Sequence, residues 1–233
     1  MSPLPFTKMQ AQGNDFVILD GRTSKLPELT REFVRGISER RYGIGCDQLL
    51  AIFPDDKADI QLRIFNNDGS EAGNCGNGLR CVASLLLDKG PSTLSIRIID
   101  RIVRAEKNND RIRVHMGAAT VTDRTDSHVD VEIGNPHRIF FEATEEFPED
   151  RNIEIISGQI GDDVYVDIIE RGVGHTPSCG SGACAVAAAI WNTEEHTRPQ
   201  TIHMPGGDVV VSGTPDSIIL EGPVSRVFTG EYG

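Results

Sequence analysis

The stretch "NCGNGLRCVASLLL" (residues 74–87) decides the fold, because its pattern returns later in the chain as "SCGSGACAVAAAIW" (residues 178–191). In each copy a cysteine stands directly before Gly-x-Gly, and an apolar run with helical spacing follows. The second run, residues 183–190, is apolar on every side, which is typical of an enclosed helix. Two copies of one pattern in a single chain indicate an internal duplication.

A second pair of motifs supports the duplication. "QGNDFVILD" (residues 12–20) and "IGNPHRIFF" (residues 133–141) each place Gly-Asn two residues before a strand-like apolar run. We therefore predict two homologous halves that face each other. Residues 1–117 carry the Cys75 helix and residues 118–233 carry the Cys179 helix, with the boundary in the polar stretch 116–127. We allow for the last strand packing back on the N-terminal half.

Alternating or β-branched runs between these motifs predict many strands and few helices. The predicted strands cover residues 59–65, 92–100, 111–116, 163–169, 208–213 and 217–222, and a further helix is predicted over residues 26–43. A buried helix among many strands is typical of a sheet curled around it. The predicted fold class is therefore α+β, with two pseudo-symmetric halves, each a curled, mostly antiparallel sheet around a central helix, and an active site in the cleft between them.

Composition and charge narrow the range of partners. The 233 residues suffice for one large domain or two modest ones. A net charge of −12 disfavours nucleic acid and anionic membrane surfaces, so a small-molecule partner is expected. The start "MSPLPFTKMQ" lacks a secretory signal, and no apolar run approaches the roughly 20 residues of a membrane span. Five cysteines, an odd number, predict reduced thiols in a soluble, cytoplasmic protein.

The start of a helix explains why a cysteine and two glycines stand together. First-turn N–H groups lack internal partners and carry the positive end of the helix dipole, so they bind carboxylates, and glycine allows close approach. The same field is expected to lower the pKa of the cysteine. Two such termini could bind one acidic ligand, with one thiolate removing an α-proton and the other thiol returning a proton from the opposite face. This chemistry requires neither a metal nor a cofactor.

Alternative roles for the cysteine motifs stay open at this point. A single Cys-Gly-x-Gly is more often a packed loop than a catalytic element. Zinc is disfavoured because the cysteine spacings of six and five residues put neither pair on one helix face. His137 and Asn135 would suit a Cys-His-Asn hydrolase, which leaves the second cysteine motif without a role. Phosphate binding and pyridoxal chemistry lack their characteristic lysine contexts, and Cys46, Cys81 and Cys184 are interpreted as core residues.

Several longer motifs resemble those of the diaminopimelate epimerase family over nearly the whole chain. They are "KMQAQGNDFVILD" (8–20), "RYGIGCDQLL" (41–50), "RIFNNDGSEAGNCGNGLRC" (63–81), "IGNPH" (133–137), "ERGVGHTPSCGSGACA" (170–185) and "MPGGDVVV" (204–211). The resemblance implies an epimerase that works without pyridoxal phosphate and interconverts LL- and meso-diaminopimelate for lysine and peptidoglycan precursor synthesis. It also implies two similar α/β halves with the active site between them.

The resemblance assigns roles residue by residue. Cys75 and Cys179 match the thiolate/thiol pair, and His137 and Glu170 match positions that assist the thiols. The implied substrate contacts are Asn14, Gln48, Asn66, Gly76, Asn77, Asn135, Asn152, Glu170, Arg171, Gly180 and Ser181. An arginine and several amides suit a substrate that has a second amino acid head, because they supply a bidentate clamp together with donors and acceptors.

Three questions remain open from the sequence. His175 stands where the family usually has glutamate, so a racemase of another amino acid, such as histidine, is an alternative. A carboxylate-binding module without catalysis is a second alternative, although a pure binder has no need of two thiols. A homodimer is compatible with the sequence, which does not fix the oligomeric state. If the thiols face one small ligand, oxidation is expected to join Cys75 and Cys179 in a disulfide.

Overall fold

The computed structural model describes residues 3–88, 90–142, 144 and 147–233. The chain divides into two compact units. The first unit ends at Ile112 and also includes Val224–Gly233, and the second unit is Arg113–Pro223. Strand β8 (Arg111–Gly117) contains the boundary and pairs with the strand Ser217–Gly222.

The first unit is a mixed sheet with two helices. Its elements are β1 (Leu4–Ala11), β2 (Asn14–Asp20), α1 (Arg31–Ser38), β3 (Gln48–Phe53), β4 (Ile60–Asn66), β5 (Glu71–Ala72), α2 (Gly76–Leu87), β6 (Thr93–Ile98), β7 (Arg101–Asn108) and β18 (Ser225–Tyr232). The strand order is β18-β1-β2-β3-β4-β6-β7, with β5 paired to β4. The β2–β3 and β4–β6 pairs are parallel, and the other pairs are antiparallel.

The second unit repeats this arrangement. Its elements are β9 (Thr120–Arg124), β10 (His128–Glu132), β11 (Pro136–Phe140), β12 (Asn152–Ile160), β13 (Asp163–Glu170), β14 (Gly174–His175), α3 (Gly180–Glu194), β15 (Gln200–Met204), β16 (Gly207–Thr214) and β17 (Ser217–Gly222). The order β9-β10-β11-β12-β13-β15-β16 runs through the same succession of antiparallel and parallel pairs, and β14 pairs with β13 as β5 does with β4. The predicted duplication and fold class are confirmed.

Each unit wraps its sheet around one helix. Helix α2 contacts β1 and β2 from one part of its sheet and β6 and β7 from the other, and α3 contacts strands from β9 to β17. All residues of α3 from Gly180 to Trp191 are buried, which confirms the predicted enclosed helix. Its alanines let strands approach on all sides, and every buried apolar side chain adds to the stability of the unit.

The predicted strands are present, but the predicted helix over residues 26–43 is too long. Helix α1 begins only after Thr30, whose hydroxyl accepts a hydrogen bond from the Phe33 amide at 3.2 Å, and it ends at Ser38. The Glu39 carboxylate then accepts hydrogen bonds from the backbone amides of Arg41 and Tyr42 and turns the chain. The N-cap and this carboxylate decide the ends, whereas apolar spacing alone extends the helix in both directions.

Within the described residues, no helix combines the length and the apolar character that a membrane-spanning helix needs.

Candidate active site

Cys75 is the N-cap of α2. Its backbone is extended (φ −159°, ψ 101°), and its Sγ accepts a hydrogen bond from the Gly78 amide at 3.3 Å. The amides of Gly76 and Asn77 come earlier in the first turn, where a helix provides no acceptor. The side chain of Cys75 is half-buried, so its sulfur reaches the surface of the first unit. A thiol and carboxylate-binding amides thus share one helix terminus.

Asn14 on β2 lies beside Cys75, and Gln48 on β3 pairs with Asn66 on β4. The Asn14 Oδ1 lies 4.0 Å from the Cys75 Sγ and accepts a hydrogen bond from Asn77 Nδ2 at 3.3 Å. Gln48 pairs with Asn66 in the sheet, and its Nε2 donates to Asn66 Oδ1 at 2.9 Å. The Gln48 Oε1 is buried and has no hydrogen-bond partner among the described residues. The structure therefore brings Asn14, Cys75 and Asn77 together and joins Gln48 to Asn66, with a buried acceptor on Gln48.

Asn14 is held in place by an ion-pair network around its neighbour Asp15. Asp15 bonds Lys8 at 2.5 Å and the Arg40 guanidinium at 2.7 and 2.9 Å, while Asp47 accepts a hydrogen bond from Asn14 Nδ2 at 2.9 Å. Burial alone would raise the pKa of Asp15, but the hydrogen bonds from Arg40 and Lys8 outweigh it and hold that pKa well below its usual range. The network fixes the start of β2, where Asn14 stands.

Replacing Asp15 by asparagine should therefore destabilise the protein in a pH-dependent way. Lys8 is 7 % exposed and would lose its counter-charge, so we expect the free energy of unfolding at pH 7 to fall by about 2–4 kcal/mol. Because the folded pKa is depressed, this stabilisation is present above about pH 4 and is lost as pH falls through the folded pKa. Urea unfolding at pH 7 and pH 3 measures both values.

The control for this prediction is Asp88→Asn, which removes an exposed ion pair with Lys107. We expect little change in stability from it at either pH. An equal loss at pH 7 and pH 3 in Asp15→Asn would contradict the charge-based account.

Cys179 is the N-cap of α3 in the second unit. Its Sγ accepts a hydrogen bond from the Gly182 amide at 3.4 Å and lies 3.4 Å from the Ser181 hydroxyl. The Gly180 and Ser181 amides occupy the first-turn positions that Gly76 and Asn77 occupy in α2. The two predicted cysteine motifs therefore have the same local structure.

The expected lowering of the cysteine pKa is wrong for Cys179. The residue is 6 % exposed, and burial, followed by the charges of Glu170 and Glu154, raises the pKa of the Cys179 thiol well above its ordinary value. Hydrogen bonds from Ser181 and Gly182 act in the opposite direction but are weaker. The sequence motif identifies the helix terminus, which would lower the pKa. It does not identify the carboxylates that lie near Cys179 and come from neighbouring strands.

His137 and Glu154 form a buried pair in the second unit. Both side chains are 0 % exposed, and His137 Nδ1 lies 2.8 Å from Glu154 Oε1. Among the described residues, neither His137 Nε2 nor Glu154 Oε2 has a hydrogen-bond partner. A β-carbon added to Gly182 would lie 2.2 Å from Glu154 Oε1, so the carboxylate touches the first turn of α3.

The other predicted residues of the second half lie at neighbouring strand ends. Asn152 pairs with His137 in the sheet, and its Oδ1 accepts a hydrogen bond from the Arg171 amide at 2.9 Å. Arg171 itself is exposed and donates to the Asp150 carbonyl at 3.1 Å. Glu170, the last residue of β13, accepts a hydrogen bond from Thr176 at 2.7 Å. These contacts hold Arg171 and Glu170 beside the strand that leads into the Cys179 helix.

Two further predicted residues differ in exposure. Asn135 precedes β11, and its buried Oδ1 has no partner among the described residues. His175 lies in β14 with an exposed side chain. Asn135 therefore offers an acceptor, whereas His175 is open to solvent.

The remaining cysteines belong to the core, as predicted. Cys81 and Cys184 are 0 % exposed on α2 and α3, and Cys46 is 1 % exposed. Burial raises the pKa of Cys46 and of Cys81, which keeps both as thiols.

One group of three described residues has potential ligand atoms close enough for a metal ion: Asp123, His128 and Asp130. Asp130, however, is ion-paired with both Arg138 and Arg151, at 2.6 Å in the Arg138 pair. Two guanidinium groups already balance this carboxylate, so the group functions as an ion-pair network.

The duplication places corresponding site residues at corresponding positions. Five pairs of residues are equivalent between the two units: Asn14 and Asn135, Gln48 and Asn152, Asn66 and Glu170, Cys75 and Cys179, and Asn77 and Ser181. Sequence reasoning missed Glu154, which lies within the site of the second half. The sequence gives no clear signal for it, because Glu154 alternates with Ile153 and Ile155 in "NIEII", a pattern that is typical of an exposed strand position.

Comparisons with known proteins show which family the chain is similar to. The family model described as diaminopimelate epimerase matches twice, at residues 6–139 and 123–227. The chain is 36% identical over 270 residues to the diaminopimelate epimerase of Halorhodospira halophila, covering 97% of this chain and 94% of that protein. It is 34% identical over 275 residues to the diaminopimelate epimerase of Methanococcus maripaludis strain C6, covering 98% and 99%.

Solved structures share the fold at lower identity. A phenazine biosynthesis protein of the PhzF family from Bacillus anthracis has a TM-score of 0.78 at 17% identity, with 100% of this chain and 99% of that chain covered. A hydroxyproline epimerase from Agrobacterium vitis has a TM-score of 0.76 at 12% identity, with 100% and 91% covered. The fold is thus one that epimerases are built on. The sequence matches narrow this class further, and the chain belongs to the diaminopimelate epimerase family.

Proposed function

We propose that the protein interconverts LL-2,6-diaminopimelate and meso-2,6-diaminopimelate, in lysine and peptidoglycan precursor synthesis, with Cys75 and Cys179 as the two proton-exchanging groups. The observation that carries the proposal is the pair of cysteine N-caps. Each sulfur accepts an amide hydrogen bond at the start of a helix, once in each of the duplicated units. Metal and cofactor have no place in this mechanism.

The chemistry follows from the two helix termini. The thiolate of one cysteine takes the α-proton, and the electron pair of the C–H bond moves toward the carboxylate. First-turn amides stabilise the charge that builds there, as helix N-termini do for anions. The thiol of the other cysteine donates its proton to the opposite face of the carbon, which inverts it. The mechanism requires both sulfur atoms to approach one α-carbon when the substrate is bound.

The starting protonation states differ between the two cysteines. Burial, Glu170 and Glu154 raise the pKa of Cys179, which supports Cys179 as the thiol in the resting enzyme. The two-base mechanism then needs Cys75 to take the first proton. After one turnover the assignments are exchanged, so the reverse reaction uses the same groups in opposite roles.

We assign recognition of the amino acid group at the non-reacting end of the substrate to the side-chain amides of Gln48 and Asn135 and to Arg171. Among the described residues, Gln48 Oε1 and Asn135 Oδ1 are buried acceptors without partners, and a substrate ammonium group would satisfy them. Arg171 is exposed and its backbone is fixed by Asn152, so its guanidinium can bind a carboxylate bidentately. A substrate with an ammonium and a carboxylate group at each end can use both the buried acceptors and Arg171.

The substrate is tested directly by isotope exchange. The purified protein, without added pyridoxal phosphate, is incubated in deuterated water with LL-diaminopimelate, and separately with histidine, lysine and glutamate. We expect α-deuterium and the meso product only with diaminopimelate. Exchange with another amino acid but not with diaminopimelate would establish the racemase alternative, and no exchange with any of them would support a binding module.

Arg171→Lys should mainly weaken substrate binding. Lysine keeps the positive charge but loses the bidentate geometry, so we expect the KM for diaminopimelate to rise by about 10–100-fold, with a smaller change in kcat. Steady-state epimerisation assays measure both. Arg198→Lys, at an exposed ion pair with Asp162, is the matched control and should leave both constants unchanged. An unchanged KM in Arg171→Lys would remove Arg171 from the substrate site.

We infer a reducing compartment, the cytoplasm, as the place of this reaction. The mechanism needs both active-site cysteines, Cys75 and Cys179, in the reduced state.

A further inference from the structure

A buried charged pair lies under the Cys179 helix at positions where the duplicate unit is apolar. Phe16 and His137 each stand two residues after the asparagine of a Gly-Asn motif. Leu50 and Glu154 occupy the same place on the parallel neighbouring strand, opposite Ile18 and Ile139 respectively. All four of these side chains, Phe16, Leu50, His137 and Glu154, are 0 % exposed.

The contacts with the helix are equivalent as well. A β-carbon added to Gly78 would meet the Leu50 side chain at 3.2 Å, and one added to Gly182 would meet Glu154 Oε1 at 2.2 Å. One helix start therefore rests on hydrocarbon and the other on a carboxylate. Since the first unit builds this contact from phenylalanine and leucine, the fold does not need a histidine and a glutamate there.

Burying such a pair is costly. A buried ionic or strongly polar pair is often no more stable than well-packed apolar residues of similar volume. His137 Nε2 and Glu154 Oε2, which lack partners among the described residues, add to this cost. The difference between the two units is therefore better explained by chemistry at Cys179 than by stability.

We propose that Glu154 is a positioning residue that makes the two thiols unequal. Its carboxylate fixes the His137 ring with the hydrogen on Nδ1, and its buried charge keeps Cys179 as the protonated partner in the resting enzyme. The 2.8 Å contact between His137 Nδ1 and Glu154 Oε1 requires a hydrogen on Nδ1 when the acid is ionised. Glu154 acts through its charge and through His137, without touching substrate.

The charged groups around Cys179 support this assignment. Burial, then the charges of Glu170 on β13 and Glu154 on β12, raise the pKa of the Cys179 thiol, and His137 on β11 is the titratable group bonded to Glu154. Asp130 on β10, which also packs against α3, is already paired with two arginines. Of the two carboxylates near this helix start, Glu170 has a role assigned by the family resemblance. Glu154 has none.

The inference rests on the proposed function, but its main test does not use a substrate. In Glu154→Gln the amide oxygen can still accept the hydrogen bond from His137 Nδ1, while the charge is gone. We expect the pH midpoint of Cys179 alkylation by iodoacetamide, followed by mass spectrometry of the Cys179 peptide, to fall by about one unit or more. At a fixed pH below the midpoint, alkylation should become about tenfold faster.

A second variant and a distant control complete the alkylation test. His137→Phe combined with Glu154→Leu copies the first unit and should lower the midpoint in the same direction. Glu194→Gln removes a carboxylate at the far end of α3, about 20 Å away at 1.5 Å per residue, and should leave the midpoint unchanged. An unchanged Cys179 midpoint in Glu154→Gln would overturn the proposal, whatever amino acid the enzyme turns over.

Activity gives an independent readout. The resting enzyme needs Cys179 protonated, so the basic limb of the pH profile of kcat/KM should move to lower pH in Glu154→Gln. A purely structural role for Glu154 would lower the rate without moving this limb, and that result would contradict the proposal.

Nitrogen-15 spectra of the wild-type protein keep the proposal testable even if a variant fails to fold. The His137 ring should carry a hydrogen on Nδ1, the nitrogen that faces Glu154 Oε1. A hydrogen on Nε2 and none on Nδ1 would overturn the assignment.

Discussion

Cys75→Ser and Cys179→Ser should each reduce epimerisation of diaminopimelate by at least about 10²–10⁴-fold, the usual contribution of a general acid or base. A serine hydroxyl is a much weaker acid than a thiol, so it cannot supply the base at neutral pH. Both positions are N-caps, where serine is also a good capping residue, so the helices should remain intact. Epimerisation rates together with circular dichroism and unfolding midpoints measure the two effects separately.

The control for the cysteine variants is Cys81→Ala. Cys81 lies on α2 in the core, fully buried, and we expect a modest loss of stability with activity within a few-fold of the wild type. Full activity in either serine variant would rule out that cysteine as one of the two bases.

Gly182→Ala should lower both the stability of the protein and the activity of the enzyme. The new β-carbon would lie 2.2 Å from Glu154 Oε1, 2.9 Å from Glu154 Cδ and 3.2 Å from the Cys179 β-carbon. Glu154 is enclosed and hydrogen-bonded to His137, so it can move only by breaking that contact. We expect a loss of about 1–3 kcal/mol in the free energy of unfolding, typical of overpacking, and a pronounced loss of kcat.

Gly78→Ala provides the matched comparison in the first unit. There the added β-carbon would meet Leu50 at 3.2 Å and the Cys75 sulfur at 3.4 Å, contacts that a shift of a few tenths of an ångström relieves. The loss of stability should therefore be clearly smaller than in Gly182→Ala, as measured by urea unfolding. Equal losses in the two variants would show that the Glu154 contact is not the cause.

The architecture could be predicted because the duplication is written in short motifs. The Cys-Gly-x-Gly and Gly-Asn patterns recur with their helices and strands, and the structure repeats the same order of strand pairs around them. The apolar run of α3 predicted its burial correctly, since no face of that helix offers a polar surface. Residue types and periodicity were sufficient to predict a helix or strand wherever a local pattern alone determines that element.

The sequence was less informative where distant residues decide the outcome. The ends of α1 depend on the Thr30 cap and the Glu39 carboxylate, which compete with a longer apolar pattern. The protonation of Cys179 depends on Glu154 and Glu170, which come from two different strands. A helix terminus predicts a lowered thiol pKa, but low-dielectric surroundings and two carboxylates reverse the direction. Such effects require three-dimensional proximity, which the motif alone does not contain.

The measurement that tests the two-thiol account most directly is the isotope content of the first product formed from protiated LL-diaminopimelate in deuterated water. Two bases on opposite faces predict that newly formed meso product carries α-deuterium, because the donating thiol has already exchanged with solvent, while unreacted LL-substrate stays largely protiated. Transfer of the original protium into the meso product would show that a single group removes and returns the proton, and would contradict the assignment of Cys75 and Cys179 as a pair.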